Sequence, residues 1–184
     1  MSQSSRRLLG DPLESNSIKE MIRVDHAGEY GAVRIYQGQL KILGKKPIST
    51  LLNHMLEQEK AHLAKFDKEI VNRRIRPTVL LPFWHVCGFA LGAGSALLGE
   101  KAAMACTVAV EEVIDQHYLG QIEALEGNEK EKELKTAFEE FRAEELEHRD
   151  SGIEAGAENI QGYHLFSKVI KRSARIAIWL SEKL

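Results

Sequence analysis

Residues 57–66 read EQEKAHLAKF and set Glu59 and His62 three residues apart in a stretch whose spacing predicts a helix. Side chains three apart share a helix face, so this carboxylate and this imidazole point the same way. One Glu-x-x-His is ordinary in a Glu-rich helix. The chain, however, does it again at AEELEHRD, residues 143–150, with Glu145 and His148.

The duplication extends further. EYGAVRIYQGQL (29–40) aligns with EEVIDQHYLGQI (111–122), so that Glu29 meets Glu111, Tyr36 meets Tyr118, Gly38 meets Gly120 and Gln39 meets Gln121, all 82 residues apart. Glu59 and His62 meet Glu145 and His148 at a separation of 86, the difference being a longer loop. Each half reads as a three-helix unit: one Glu on its first helix, Glu-x-x-His on its second, then an apolar helix.

Six helical segments are predicted. The first opens at a capping box formed by Ser17 and Glu20 and runs to Gly44. The others run from about Ile48 to Arg74, Phe83 to Gly99, Glu100 to Glu126, Lys130 to Glu158, and from beyond Gly162 to Leu184. No strand-like alternation of any length interrupts them. The expected fold is all-α: a ferritin-like four-helix bundle with two additional apolar or amphipathic helices in contact with membrane, and an internal two-fold repeat. Residues 16–184 are expected to form one domain. Residues 1–15, Ser- and Arg-rich, are expected to form a flexible tail, which reads equally as the remnant of an organellar transit peptide, a tag scar or plain disorder.

Composition narrows the function. With 184 residues, 43% hydrophobic and 28% charged, the chain has the balance of a globular protein. A net charge of −2 gives no polyanion-binding signature, so nucleic acid is not an expected partner. Cys87 and Cys106 lie in apolar runs and suggest buried thiols rather than a disulfide or a Cys-based metal site.

Packed as a bundle, the four polar helices turn Glu29, Glu59, His62, Glu111, Glu145 and His148 towards one another. Four unpaired carboxylates in a bundle centre repel one another and are costly to desolvate. Two divalent cations remove both problems, and a carboxylate and imidazole donor set suits iron or manganese. Repeat alignment selects Glu111 over Glu112. Spacing to His148 selects Glu145, leaving Glu144 and Glu147 expected to face away. Tyr36 and Tyr118 either pack symmetrically or hydrogen-bond the metal shell, and Asp25, one turn before Glu29, carries the same ambiguity. His117 either packs, approaches a substrate or supports the shell. His26, His54, His85 and His164 lack a repeat partner and are expected at surface, core or interface.

Between Pro77 and Gly99 there is no formally charged residue, but Pro82 breaks the run near its start. Gly88 and Gly92 offer a small-xxx-small face. An interfacial or re-entrant membrane helix, a core or oligomer-contact helix, and a full span are the three readings. The last helix supports membrane contact. It places Val169, Ile176 and Trp179 with Ile170, Ala177 and Leu180 on an apolar side, and supplies Lys168, Lys171, Arg172 and Arg175 for anionic headgroups.

At IRVDHAGEYGAVRIYQGQL (22–40), FALGAGSALLG (89–99), AMACTVAVEE (103–112) and EELEH (144–148) the chain resembles the demethoxyubiquinone hydroxylase family over essentially its whole length. That resemblance implies a di-iron monooxygenase bound peripherally to the matrix side of the mitochondrial inner membrane, or to the cytoplasmic side of the bacterial cytoplasmic membrane. It implies O2-dependent hydroxylation of a polyprenyl-methoxy-methyl-benzoquinol, the penultimate step to ubiquinone. It also implies Glu59 and Glu145 bridging the two irons, Glu29 with His62 completing one and Glu111 with His148 the other, and a lipid-binding partner protein. It further implies reducing equivalents from NADH or from the quinol itself, although the chain has no GxGxxG fingerprint. Residues 77–99 and 163–184 are the expected lipid contacts, and a homo-oligomer stays open. Rival readings are a soluble di-iron ferroxidase or peroxidase and a non-enzymatic membrane-bound helical scaffold.

Overall fold

The computed structural model describes residues 16–184, so the expected flexible tail at 1–15 lies outside the described residues. Six α-helices account for the fold: α1 (Asn16–Leu43), α2 (Ser49–Asn72), α3 (Leu81–Leu97), α4 (Glu100–Ala124), α5 (Lys132–Glu154) and α6 (Tyr163–Lys183). Short 3-10 turns at Glu129–Glu131 and Ala157–Asn159 precede and follow α5. No strand occurs among the described residues. The architecture is compatible with a ferritin-like bundle.

Three boundaries depart from expectation. Ser17 lies inside α1, because the backbone is already helical at Asn16, so the anticipated capping box does not mark the start. α3 begins at Leu81 rather than Phe83, so Pro82 stands in its first turn, where its missing N–H leaves no hydrogen bond unmade. α5 stops at Glu154 because Gly156 turns the chain at φ 88°, a left-handed conformation that glycine adopts without strain.

Short connections pair α1 with α2 and α4 with α5, and these two hairpins face each other to make the bundle. α4 is its most buried member, with every residue from Ala102 to Glu111 buried. Apolar layers fill both ends. One contains Ile22, Phe66, Tyr118, Leu134 and Phe138; the other contains Tyr36, Leu52, Met55, Met104 and Val108. Each fully buried Leu, Ile or Phe here contributes about 1.5–3 kcal/mol.

α3 and α6 lie outside the bundle, against α1 and α4. Gly88 and Gly92 let α3 press onto α1: a Cβ at Gly88 would lie 2.8 Å from the Gly31 carbonyl oxygen, and one at Gly92 would overlap that of Ile35. Trp84 Nε1 donates to Ser181 Oγ at 3.0 Å, joining α3 to α6. No helix among the described residues is long and apolar enough to cross a membrane, which removes the full-span reading of residues 77–99. Phe83, Val86, Val169, Ile176 and Trp179 instead leave α3 and α6 with half or more of their side-chain surface exposed. Leu91 and Ile170 turn inward. Lys171 pairs with Glu112 of α4, so of the four expected headgroup cations this one is committed to the bundle.

Candidate metal centre

Between the two apolar layers sits a polar one. Glu29 comes from α1, Glu59 and His62 from α2, Glu111 from α4, and Glu145 and His148 from α5, each at most 4% exposed. The three-residue spacing puts each Glu-x-x-His pair on the inner face of its helix. The structure brings all six expected donors together as two groups: Glu29, Glu59, His62 and Glu145 in one, Glu59, Glu111, Glu145 and His148 in the other. Within each group the donor atoms lie within 4.8 Å of one another, and Glu59 and Glu145 belong to both.

Both histidines turn the same nitrogen inward. His62 Nδ1 lies 3.4 Å from Glu29 Oε2 and 3.3 Å from Glu145 Oε1. His148 Nδ1 lies 3.2 Å from Glu59 Oε1 and 3.3 Å from Glu145 Oε2. Glu145 therefore offers one oxygen to each group. Neither Nδ1 makes a hydrogen bond, and neither do the two oxygens of Glu59, Oε2 of Glu29 or Oε2 of Glu145. Buried polar atoms are rarely left unpartnered. Six that converge on one space have the chemistry of ligands to cations, and the carboxylate and imidazole set fits hard-to-borderline ions such as iron or manganese.

The outer nitrogens are held. His62 Nε2 bonds Glu144 Oε2 at 2.8 Å and His148 Nε2 bonds Gln58 Oε1 at 3.0 Å. Glu144 thus does not face away idly; its side chain reaches around to the neighbouring helix and holds His62. Glu147 is exposed, as expected, and Glu112 is turned to Lys171. Gln58 carried no prior expectation. The signal for both was their equal place in the two repeats, immediately before the ligand glutamate.

Tyr36 and Tyr118 are hydrogen-bonding residues, each crossing to the other half. Tyr36 donates to Glu111 Oε1 at 2.7 Å, and Tyr118 donates to Glu29 Oε1. His117 does not join the six donors; its Nε2 lies 3.2 Å from Asp25 Oδ1, which also accepts from Gln121 Nε2 at 2.9 Å. His26 pairs with Asp67 and His85 with Tyr30, while His54 and His164 are exposed.

Electrostatics describe a site that gathers protons when it has no other cations. Burial, then the charge of Glu145, holds Glu59 and Glu111 well above the usual carboxylate range. Burial also opposes the charge on Glu145, but His148 and His62 outweigh it and bring it down to about 2. Burial likewise opposes a charged His62, yet Glu145 and Glu29 carry it up to about 12. Burial pushes both tyrosines well above their ordinary value, aided by the carboxylates they touch.

Next to this layer, between α1, α3, α4 and α6, lies an apolar cavity of about 170 Å³ lined by Gly28, Ile35, Trp84, Leu91, Val110 and Ile170 among others. Gly28 and Val110 directly precede Glu29 and Glu111 in the chain, so the cavity wall and the donor layer share backbone.

Known proteins are similar in sequence to this chain along most of its length. The family described as "Ubiquinone biosynthesis protein COQ7" matches residues 16–181. The chain is 55% identical to the "3-demethoxyubiquinol 3-hydroxylase" of Rhodospirillum rubrum, covering 97% of this chain and 84% of that one. It is 51% identical to the human "NADPH-dependent 3-demethoxyubiquinone 3-hydroxylase, mitochondrial", covering 95% and 81%. It is 38% identical to the "5-demethoxyubiquinone hydroxylase, mitochondrial" of Saccharomyces cerevisiae, covering 91% and 78%. On the matched span and these identities, the chain belongs to the COQ7 family of ubiquinone biosynthesis proteins.

Proposed function

We propose that this protein is a di-iron monooxygenase that hydroxylates the ring of a polyprenyl-methoxy-methyl-benzoquinol in ubiquinone biosynthesis. The observation that carries the reading is a pair of buried donor groups sharing Glu59 and Glu145 beside an apolar cavity. The names of the relatives supply the substrate class. Glu29 and His62 would hold one iron, Glu111 and His148 the other, and Glu59 and Glu145 would bridge them. When bound, the two ferrous ions supply electrons and open positions for O2 chemistry. In the net reaction a ring C–H becomes C–OH with one oxygen atom of O2, and the second leaves as water after uptake of two electrons and two protons.

The chain's own residues do the positioning. Tyr36 and Tyr118 fix the carboxylates of Glu111 and Glu29, so each unshared ligand keeps one oxygen turned inward. Glu144 and Gln58 hold the outer nitrogens, which leaves Nδ1 of both histidines as the donor atom. The apolar lining of the cavity offers water few partners beside the ring, and the two end layers close the bundle above and below.

Peripheral attachment to the mitochondrial inner membrane, or to the bacterial cytoplasmic membrane, completes the reading. It is supported by the exposed apolar side chains of α3 and α6 flanking the cavity, with Lys168, Arg172 and Arg175 exposed among them. The positions of α1 and α2 that match positions of α4 and α5, among them Glu29 with Glu111 and Glu59 and His62 with Glu145 and His148, support an internal two-fold repeat. The electron source is a reduced nicotinamide nucleotide or the quinol, and a lipid-binding protein is the expected partner. The test uses one preparation. Iron-loaded protein is given a prenylated demethoxyquinol in vesicles under 18O2, with NADH, NADPH or neither. Label in the new hydroxyl is the expected result, and full iron loading without product would refute the assignment.

A further inference from the structure

The two halves differ where they hold their histidines. Gln58 and Glu144 are counterparts at the separation of 86 that relates Glu59 to Glu145 and His62 to His148. They perform the same task across the bundle, on His148 and His62 respectively, but one is an amide and the other a carboxylate. The rest of the two donor groups matches: each has one unshared glutamate bonded to a tyrosine of the opposite half, and both share Glu59 and Glu145.

A second departure from the repeat stands behind Glu29. Asp25 occupies the position of Thr107, and the duplicated glutamines bond to both: Gln121 to Asp25 at 2.9 Å and Gln39 to Thr107 at 3.3 Å. Asp25 makes no hydrogen bond to any of the six donors; its Oδ1 is taken by His117 at 3.2 Å and Gln121 at 2.9 Å. The difference that reaches a donor directly is Glu144, on His62 Nε2.

We propose that the two metal positions are unequal, and that the one built on Glu29 and His62 holds a divalent cation more tightly than the one built on Glu111 and His148. The inference rests on reading the six donors as metal ligands. A carboxylate accepting from Nε2–H draws that proton harder than an amide does, which leaves more electron density on Nδ1 and makes His62 the stronger donor. The direct Coulomb attraction of Glu144 is secondary, since its side chain is 40% exposed and screened by water. Changing such an outer partner shifts metal affinity by about 10- to 100-fold. Glu144 is a positioning residue in this account, not a ligand.

Titration of the metal-free full chain with Co(II), followed by calorimetry and d–d absorption, tests it without any turnover. Two binding steps are expected. Repulsion between neighbouring cations also separates two steps, so the variants decide. Glu144→Gln should weaken the tight step by about 10- to 100-fold and close the gap, while Gln58→Glu should strengthen the weak step and close it from the other side. A gap unchanged in both variants, or widened by Glu144→Gln, overturns the proposal while leaving the dinuclear reading intact. No Co(II) uptake by the native chain would overturn both.

Discussion

Metal-free protein should lose stability as pH rises from about 5 to about 8, opposite to a protein whose carboxylates are held by salt bridges. Glu59 and Glu111 carry raised pKa values because burial and Glu145 disfavour their charge. Raised groups contribute stability that is complete below their unfolded pKa, about 4.3 for Glu, and that is lost as pH climbs towards the folded value. His62, raised to about 12, and His148, also raised, act in the same direction above about 6.5. Glu145, lowered to about 2, acts the other way only below about 4.5, outside this window. Below about pH 6.5, where the histidines do not yet add, each proton held by the folded chain alone gives a slope of about 1.4 kcal/mol per pH unit, so Glu59 and Glu111 together give at most about 3. For a chain of this size that is a fall of roughly 5–10 °C in Tm per pH unit. Two Mn(II) ions displace those protons, so the loaded protein should show a much flatter profile. Thermal melts by circular dichroism at matched ionic strength, with and without metal, make the comparison. A metal-free Tm that stays level or rises between these pH values would refute the electrostatic account of the six donors.

Three further outcomes are expected. Gly92→Ala should destabilise the fold by about 1–3 kcal/mol in urea unfolding, because its Cβ meets the Ile35 carbonyl, whereas Gly94→Ala, with nothing within 4 Å, should be neutral or stabilising. Tyr118→Phe leaves an oxygen of buried Glu29 unpartnered and should weaken binding of one Co(II) by about tenfold or more, with Tyr36→Phe doing the same through Glu111. Val86→Asp with Trp179→Asp should reduce co-sedimentation with anionic vesicles by about tenfold or more, while the exposed polar change Asn53→Asp on α2 should leave it unaltered.

The six donors were legible because duplication and a three-residue period are properties of the chain itself. Helix ends came within about two residues, apart from the end of α5, where Gly156 turns the chain before Glu158 is reached. What crosses between helices was not legible. The bond from His62 to Glu144 depends on the distance between α2 and α5, which no spacing within either helix encodes. Lys171 looked like a headgroup cation from its own helix and is claimed by Glu112 from another. Leu91 belonged to an apolar run that gave no direction; the glycine contact of α3 with α1 fixes which way it points.

The cavity has a bearing on selectivity. A dry apolar space of about 150 Å³ holds a benzene ring, so this one, at about 170 Å³, has room for a substituted ring. A long polyprenyl chain exceeds that volume and would extend beyond it. The enzyme proposed here would therefore recognise the head of its substrate and be indifferent to the tail, so that one such protein could serve organisms whose quinones differ in isoprenoid number.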